Sequence, residues 1–165
     1  MKFHRYGCEL RTSWGGKAMK TVLIASIVLA TGLMAGQSEA EEWNSVSSSA
    51  RFTYLADLSS IAVVGDDTTI NVARVPVQGP AGDYSHKIDA YAFRCGANQA
   101  RITQELQYGA DGAVSDRFPD PEAVWEDIPT DSLFAYVKGV ACESLRSSDR
   151  MAPSIQAFID GGRGK

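Results

Sequence analysis

Histidine is scarce in this chain: His4 and His86 are the only two in 165 residues. Nucleophilic catalysis by serine or cysteine needs an imidazole or similar base beside the nucleophile, so few such arrangements remain open. Ser85 precedes His86, but neighbours in an extended segment point to opposite faces, and the pair makes no dyad. His86 lies in the polar run Asp83-Tyr84-Ser85-His86-Lys87 and reads as an exposed loop or strand-edge residue. Cysteine is nearly as rare, with Cys8, Cys95 and Cys142. A closed zinc site takes four ligands, so no metal and no cofactor is expected. Clusters of Lys and Arg are missing as well. Residues 41–165 hold 11 basic and 18 acidic side chains, a formal charge of −7. Such a chain competes poorly for phosphates, which removes nucleic acid and anionic lipid from the expected partners. Internal repeats and low-complexity linkers are absent too.

One long apolar run is present. Val22 to Gly36 follows Met19-Lys20, and Ser38-Glu39-Ala40 then supplies small residues where a signal peptidase cuts. Residues 19–40 therefore read as a signal peptide, cleaved between Ala40 and Glu41. The run is shorter than the ~20 residues that span a bilayer, so no stable membrane anchor is expected after cleavage. Leu33-Met34-Ala35-Gly36 resembles the approach to a lipidation site, but Gln37 stands where the acylated cysteine is needed. Residues 1–18 carry Lys2, Arg5, Arg11 and Lys17 without an apolar run. They read as an extension upstream of a true start at Met19, or else as a long basic n-region. The expected destination is export, to the periplasm or beyond, with surface display left open.

The remaining 125 residues suffice for one domain, expected over 41–145, with a tail over 146–165 that is either one docked helical turn or frayed. Cys95 and Cys142 form an even pair in an exported chain, which reads as a disulfide; two buried thiols are the alternative. Period-two patterning dominates. Arg101 to Tyr108 sets Ile102, Leu106 and Tyr108 on one face and runs into the Asp111-Gly112 turn. Ile88 to Cys95 is apolar on both faces, as a central strand would be. Phe52 to Leu58 and Thr68 to Val77 are further strands. In the latter the apolar phase slips from Ile70/Val72 to Val75/Val77, which predicts a bulge near Ala73, and Pro76 predicts an edge. Pro129-Thr130-Asp131-Ser132 caps a late helix with Leu133, Val137, Val140, Ala141 and Ser144 on one stripe. Cys142 lies off that stripe, so pairing with Cys95 predicts a helix that bends or ends near Gly139.

Carboxylates gather between Asp111 and Asp131, but their spacing selects no acid–base pair and lacks the order of a calcium loop. The same stretch carries Phe118 and Trp125 in a Pro/Asp-rich connection. These two are the candidate partner surface, because aromatic anchors dominate binding hot spots. The competing reading packs Trp125 and Ile128 onto the sheet as core.

The order of short motifs is informative where no single one is. Trp43 follows the cleavage site; Tyr54-Leu55-Ala56-Asp57-Leu58-Ser59-Ser60-Ile61, a Gly-Asp turn and Phe93-Arg94-Cys95 come next. Arg101, Tyr108-Gly109, Trp125-Glu126-Asp127-Ile128-Pro129 and Val140-Ala141-Cys142 complete the set. From about Trp43 to Cys142 the chain resembles the bacterial surface-adhesin protein E family. The resemblance implies an α+β fold, an antiparallel sheet of about five to six strands with a C-terminal α-helix packed on it. It also implies a non-enzymatic envelope protein whose partner is a host extracellular protein or an envelope protein. A structural subunit of an envelope complex is the alternative, and a periplasmic hydrolase using the carboxylates of 111–131 a more remote one.

Overall fold

A computed structural model of the protein describes residues 41–164. The expected extension over 1–18, the signal peptide over 19–40 and the residue before its cleavage point, Ala40, lie outside the described residues. Eight strands form one antiparallel sheet: β1 (Trp43–Ser48), β2 (Phe52–Val64), β3 (Asp67–Pro76), β4 (His86–Arg94), β5 (Gln99–Tyr108), β6 (Val114–Pro119), β7 (Glu126–Asp127) and β8 (Met151–Ala152). Two helices, α1 (Leu133–Glu143) and α2 (Ile155–Asp160), complete the fold. The class is α+β, with eight strands in place of five to six and two C-terminal helices in place of one.

Strands β1 to β6 meander, each pairing with the next, and β8 returns to the far edge beside β1. Tight turns make this possible: Gly65 (φ 64°) and Gly112 (φ 76°) take the left-handed conformations that close the β2–β3 and β5–β6 hairpins. The two-residue strand β7 prolongs the outer edge, pairing with Gln99 and Ala100 at the start of β5.

Each face of the sheet builds its own core. On one face Ala56, Ile70, Val72, Tyr91, Phe93 and Ala100 pack under Val137 and Val140 of α1. On the other, Trp43, Leu55, Ala73, Val75 and Ile88 pack under Ala152, Ile155 and Ile159. This arrangement accounts for the phase slip in β3. Its pairing with β4 is unbroken from Thr68 to Arg74, so no bulge sits at Ala73. Ile70 and Val72 serve the α1 face while Ala73 and Val75 serve the other, and both sets are buried because both faces are covered. Nor is β3 an edge strand; Pro76 is tolerated as its last residue, paired with Phe52 on β2 beyond the first residue of β4.

The irregularities lie elsewhere. Between Asp57 and Ala62 strand β2 carries extra residues against β3, and between Ile102 and Gln104 strand β5 carries Thr103 unmatched against β4. The second shift reverses the alternation. Ile102 packs with the α1-face core, whereas Leu106 and Tyr108 pack with the other, so the three do not share a face.

Helix α1 starts where capping chemistry allows: Ser132 Oγ accepts a hydrogen bond from the Ala135 N–H at 3.2 Å. It runs unbroken through Gly139 to Glu143, and Cys142 still joins Cys95, with Cα atoms 5.9 Å apart. Cys95 opens the short turn after β4, beyond the end of the sheet. The bond therefore reaches it from the helix flank, and the buried stripe need not include Cys142. Residues 146–164, a tail in the sequence reading, contain β8 and α2 and supply the second core. Arg163, 6% exposed, donates to the carbonyl oxygens of Pro76 at 3.0 Å and Asp83, fastening that segment to the β3–β4 connection.

Candidate functional site

Trp125 belongs to neither core. The ladder that sets Ala100 opposite Glu126 places Trp125 level with Arg101, on the α2 side of the sheet, where it is half-buried. The Arg101 guanidinium lies 4.4 Å from the centre of its indole and the Arg94 guanidinium 4.2 Å, both within cation–π range. Asp67 at the β2–β3 turn approaches both arginines, at 3.5 Å from Arg94 and 3.8 Å from Arg101. Backbone bonding holds the segment in place: Ile128 N–H donates to the Asn98 carbonyl at 3.0 Å, and Asn98 Nδ2 donates to the Ile128 carbonyl at 3.2 Å. Ile128 fills the α1-face core, so the core reading holds for Ile128 and not for Trp125.

This end of the sheet carries exposed apolar side chains, with Val64 on the Trp125 side and Val63 on the other. Val63 and Val64 at the hairpin tip are 75% and 65% exposed, and Val124, next to Trp125, is 76% exposed. Val64, Asp67 and Arg94 share an open hollow of about 490 Å³ with Gly96 and Ala97. Arg101 Nε is buried without an acceptor among the described residues. The surface combines one large aromatic, two arginines and the exposed Val64.

Phe118 lies elsewhere. It pairs with Glu105 on the outer strand β6 and projects on the α1 side, 51% exposed. The two aromatics singled out in the sequence thus stand on opposite faces. The carboxylates of 111–131 are equally dispersed: Asp116 lies on β6, Asp120 and Glu122 on the following turn, Glu126 and Asp127 on β7. Among the described residues no group of three or more His, Cys, Asp or Glu is placed to hold a metal ion.

His86 is a correction. It opens β4 and is only 5% exposed, stacked on Tyr108 with ring centres 4.2 Å apart. Its Nδ1 lies 2.7 Å from the Tyr84 carbonyl, a geometry that fixes the proton on Nδ1. Burial pushes its pKa down, and neither the Tyr84 carbonyl nor Glu41 restores it. The burial comes from the neighbouring strand, which the local polar run does not reveal.

The sequence reading also missed a charged cluster on the α1 side. Asp89, 2% exposed, receives Arg74 at 2.8 Å, while Arg74 also contacts Glu105, which Lys87 reaches at 2.9 Å. Burial raises the Asp89 carboxyl and Arg74 opposes that rise; the Lys87 bond holds Glu105 low. These four groups lie cross-strand on β3, β4 and β5, a register that alternation alone does not fix. Their mutual pairing makes the cluster structural.

No curated protein and no solved structure matches the chain. A family model does match, over residues 43–143, and its description is surface-adhesin protein E. That span runs from the first residue of β1 to the last of α1, more than half of the chain, and so the protein belongs to the surface-adhesin protein E family, a family of non-catalytic modules.

Proposed function

We propose that the domain is an exported binding module of the bacterial cell envelope, which engages a protein partner through the end of the sheet that carries Trp125. One observation carries the reading. A large aromatic is left out of both cores, half-buried against two guanidinium groups and on the same side of the sheet as the exposed Val64. Tryptophan and arginine are among the side chains that dominate binding energy in protein interfaces. Family membership supports the envelope setting, and the leader expected over 19–40 supports export.

Site-specific photo-crosslinking in the producing bacterium tests this. A photoreactive side chain at position 64, on the Trp125 side, should yield a discrete protein adduct, and one at position 118, on the opposite face, should not. Protease shaving of intact cells then tells display from periplasmic residence, and with it a host partner from an envelope one. No adduct at position 64, or adducts at both positions alike, overturns the surface proposed here.

A further inference from the structure

The two outer edges of the sheet are treated differently. β6 is guarded: it carries Asp116 and Arg117 in mid-strand and ends at Pro119. A two-fold axis centred on either charged residue would set like charges opposite each other, which disfavours edge-to-edge pairing. β1 has no such guard. From Asn44 to Ala50 the chain reads Asn-Ser-Val-Ser-Ser-Ser-Ala, without a charge or a proline. β8 covers only its first two residues, through Trp43–Ala152 and Asn44–Met151. Ser45 to Ser48 face no strand on that side among the described residues.

The register shifts differ in the same way. Where β2, β5 and β6 carry extra residues, a hydroxyl bonds the disturbed ladder. Ser60 Oγ accepts from Asn71 N–H at 2.8 Å, Thr103 donates to the Ala90 carbonyl at 3.2 Å, and Ser115 donates to the Gln107 carbonyl at 3.2 Å. The shift in β1 falls at Val46, which has no hydroxyl to offer. Val46 instead lines a hollow of about 210 Å³ on the α1 side, with Tyr136, Val140, Leu145, Arg146 and Arg150. That is roughly the volume of seven water molecules in the liquid, room for a branched aliphatic side chain. Tyr136 and Leu145 are half exposed above it, at 50% and 55%. On the opposite side of the same edge a second hollow is lined by Ser48, Thr53, Asp149, Arg150, Met151 and Phe158. Arg150 borders both, and neither Arg146 nor Arg150 forms an ion pair among the described residues.

We propose that the outer edge of β1, Ser45–Ser48, accepts an extended peptide segment of a partner protein as an added strand. Alternate side chains of an added strand fall on opposite faces of the sheet. Apolar ones enter the hollow at Val46 and Leu145, and carboxylates on the other face meet Arg150. The occupant is thus a segment that alternates aliphatic and acidic residues. The charge argument rests on Arg150, which lines that face and forms no ion pair among the described residues; Arg146 Nη1 is already bonded to the Val140 and Leu145 carbonyl oxygens. This edge lies across the sheet from Trp125 and stands independently of that surface.

The test uses the purified protein and the probe peptide acetyl-Val-Glu-Val-Glu-Val-Glu-amide, with its Val-Lys counterpart as control. Binding is followed by fluorescence and by the amide resonances of Ser45–Ser48. The glutamate peptide should bind at least ~10-fold more tightly than the lysine peptide and shift those amides, and Arg150→Glu should reverse the preference. Absence of binding by both peptides overturns the proposal. Binding that leaves the Ser45–Ser48 amides in place also overturns it, as do shifts that follow protein concentration alone, the mark of a second copy on the edge. Crosslinking at position 64 is insensitive to all of these, so failure of one surface is separable from failure of the other.

Discussion

His86 is neutral by virtue of its surroundings, and that gives the fold a pH dependence at the scale of one residue. Its pKa is lowered in the folded protein by burial against Tyr108. In the unfolded chain it titrates near 6.5, so below that pH the unfolded state binds the extra proton and stability falls. The loss begins as pH drops through about 6.5 and continues to the folded-state pKa. Asp89 acts with the opposite sign and lower down, since its raised pKa makes the folded state the better proton binder near the carboxylate range. Urea unfolding from pH 7.5 to 5.5 should therefore show a falling midpoint for the wild type. His86→Gln should flatten that slope, and a slope unchanged by the substitution would reject the assignment. Nothing local betrays this residue: Asp83, Ser85 and Lys87 make a solvated run, and the ring that covers His86 arrives from 22 positions downstream.

At the scale of elements, what could be read was what alternation encodes within a single strand. Tyr91 and Phe93 against Ile88 identified a strand covered on both sides, and β4 is one. What alternation cannot encode is a change of register. Thr103 turns Ile102 away from Leu106, and the extra residues after Asp57 lengthen β2 to Val64. Each such change is decided by the partner strand. Helix α1 shows the same limit: the stripe Leu133, Val137, Val140 was legible, but a helical wheel does not say where Cys95 waits. The disulfide joins the end of β4 to the last turn of α1 and closes a loop of separation 47. Chain-entropy reasoning puts its contribution at about 4 kcal/mol, with 2–4 kcal/mol the usual measured range. Cys95→Ser with Cys142→Ser should lower the unfolding free energy by about that range. The same double variant should raise amide exchange in α1 more than in β2 and β3. Equal loosening of sheet and helix would mean that α1 is held by its apolar stripe alone.

On the scale of the whole molecule, the family match ends with α1 at residue 143, yet the sheet has a second face to cover. Trp43, Leu55, Val75 and Ile88 lie on that face, and each is no more than 9% exposed. Their cover is the segment after α1. Ala152, Ile155 and Ile159 pack on them, Asn44 Nδ2 holds the Ser147 carbonyl at 2.8 Å, and Arg163 bonds two carbonyl oxygens of the β3–β4 connection. Each large apolar side chain that closes such a core contributes on the order of 2–5 kcal/mol against truncation to alanine. A domain of this size has only about 5–15 kcal/mol in all. Ile155→Ala and Ile159→Ala should each cost about 2–4 kcal/mol, and together with Arg163→Ala they should bring the protein to the edge of unfolding. Removing residues 144–165 should leave a chain that binds hydrophobic dye and loses its near-ultraviolet tryptophan signal, because Trp43 would lie on bare sheet. The opposite result, a truncated chain that melts cooperatively within a few degrees of the full one, would mean that β1 to α1 closes its own second face. The alternation along β3 argues against that: Ala73 and Val75 are fully buried, and within 43–143 the helix available to cover them lies on the other side of the sheet.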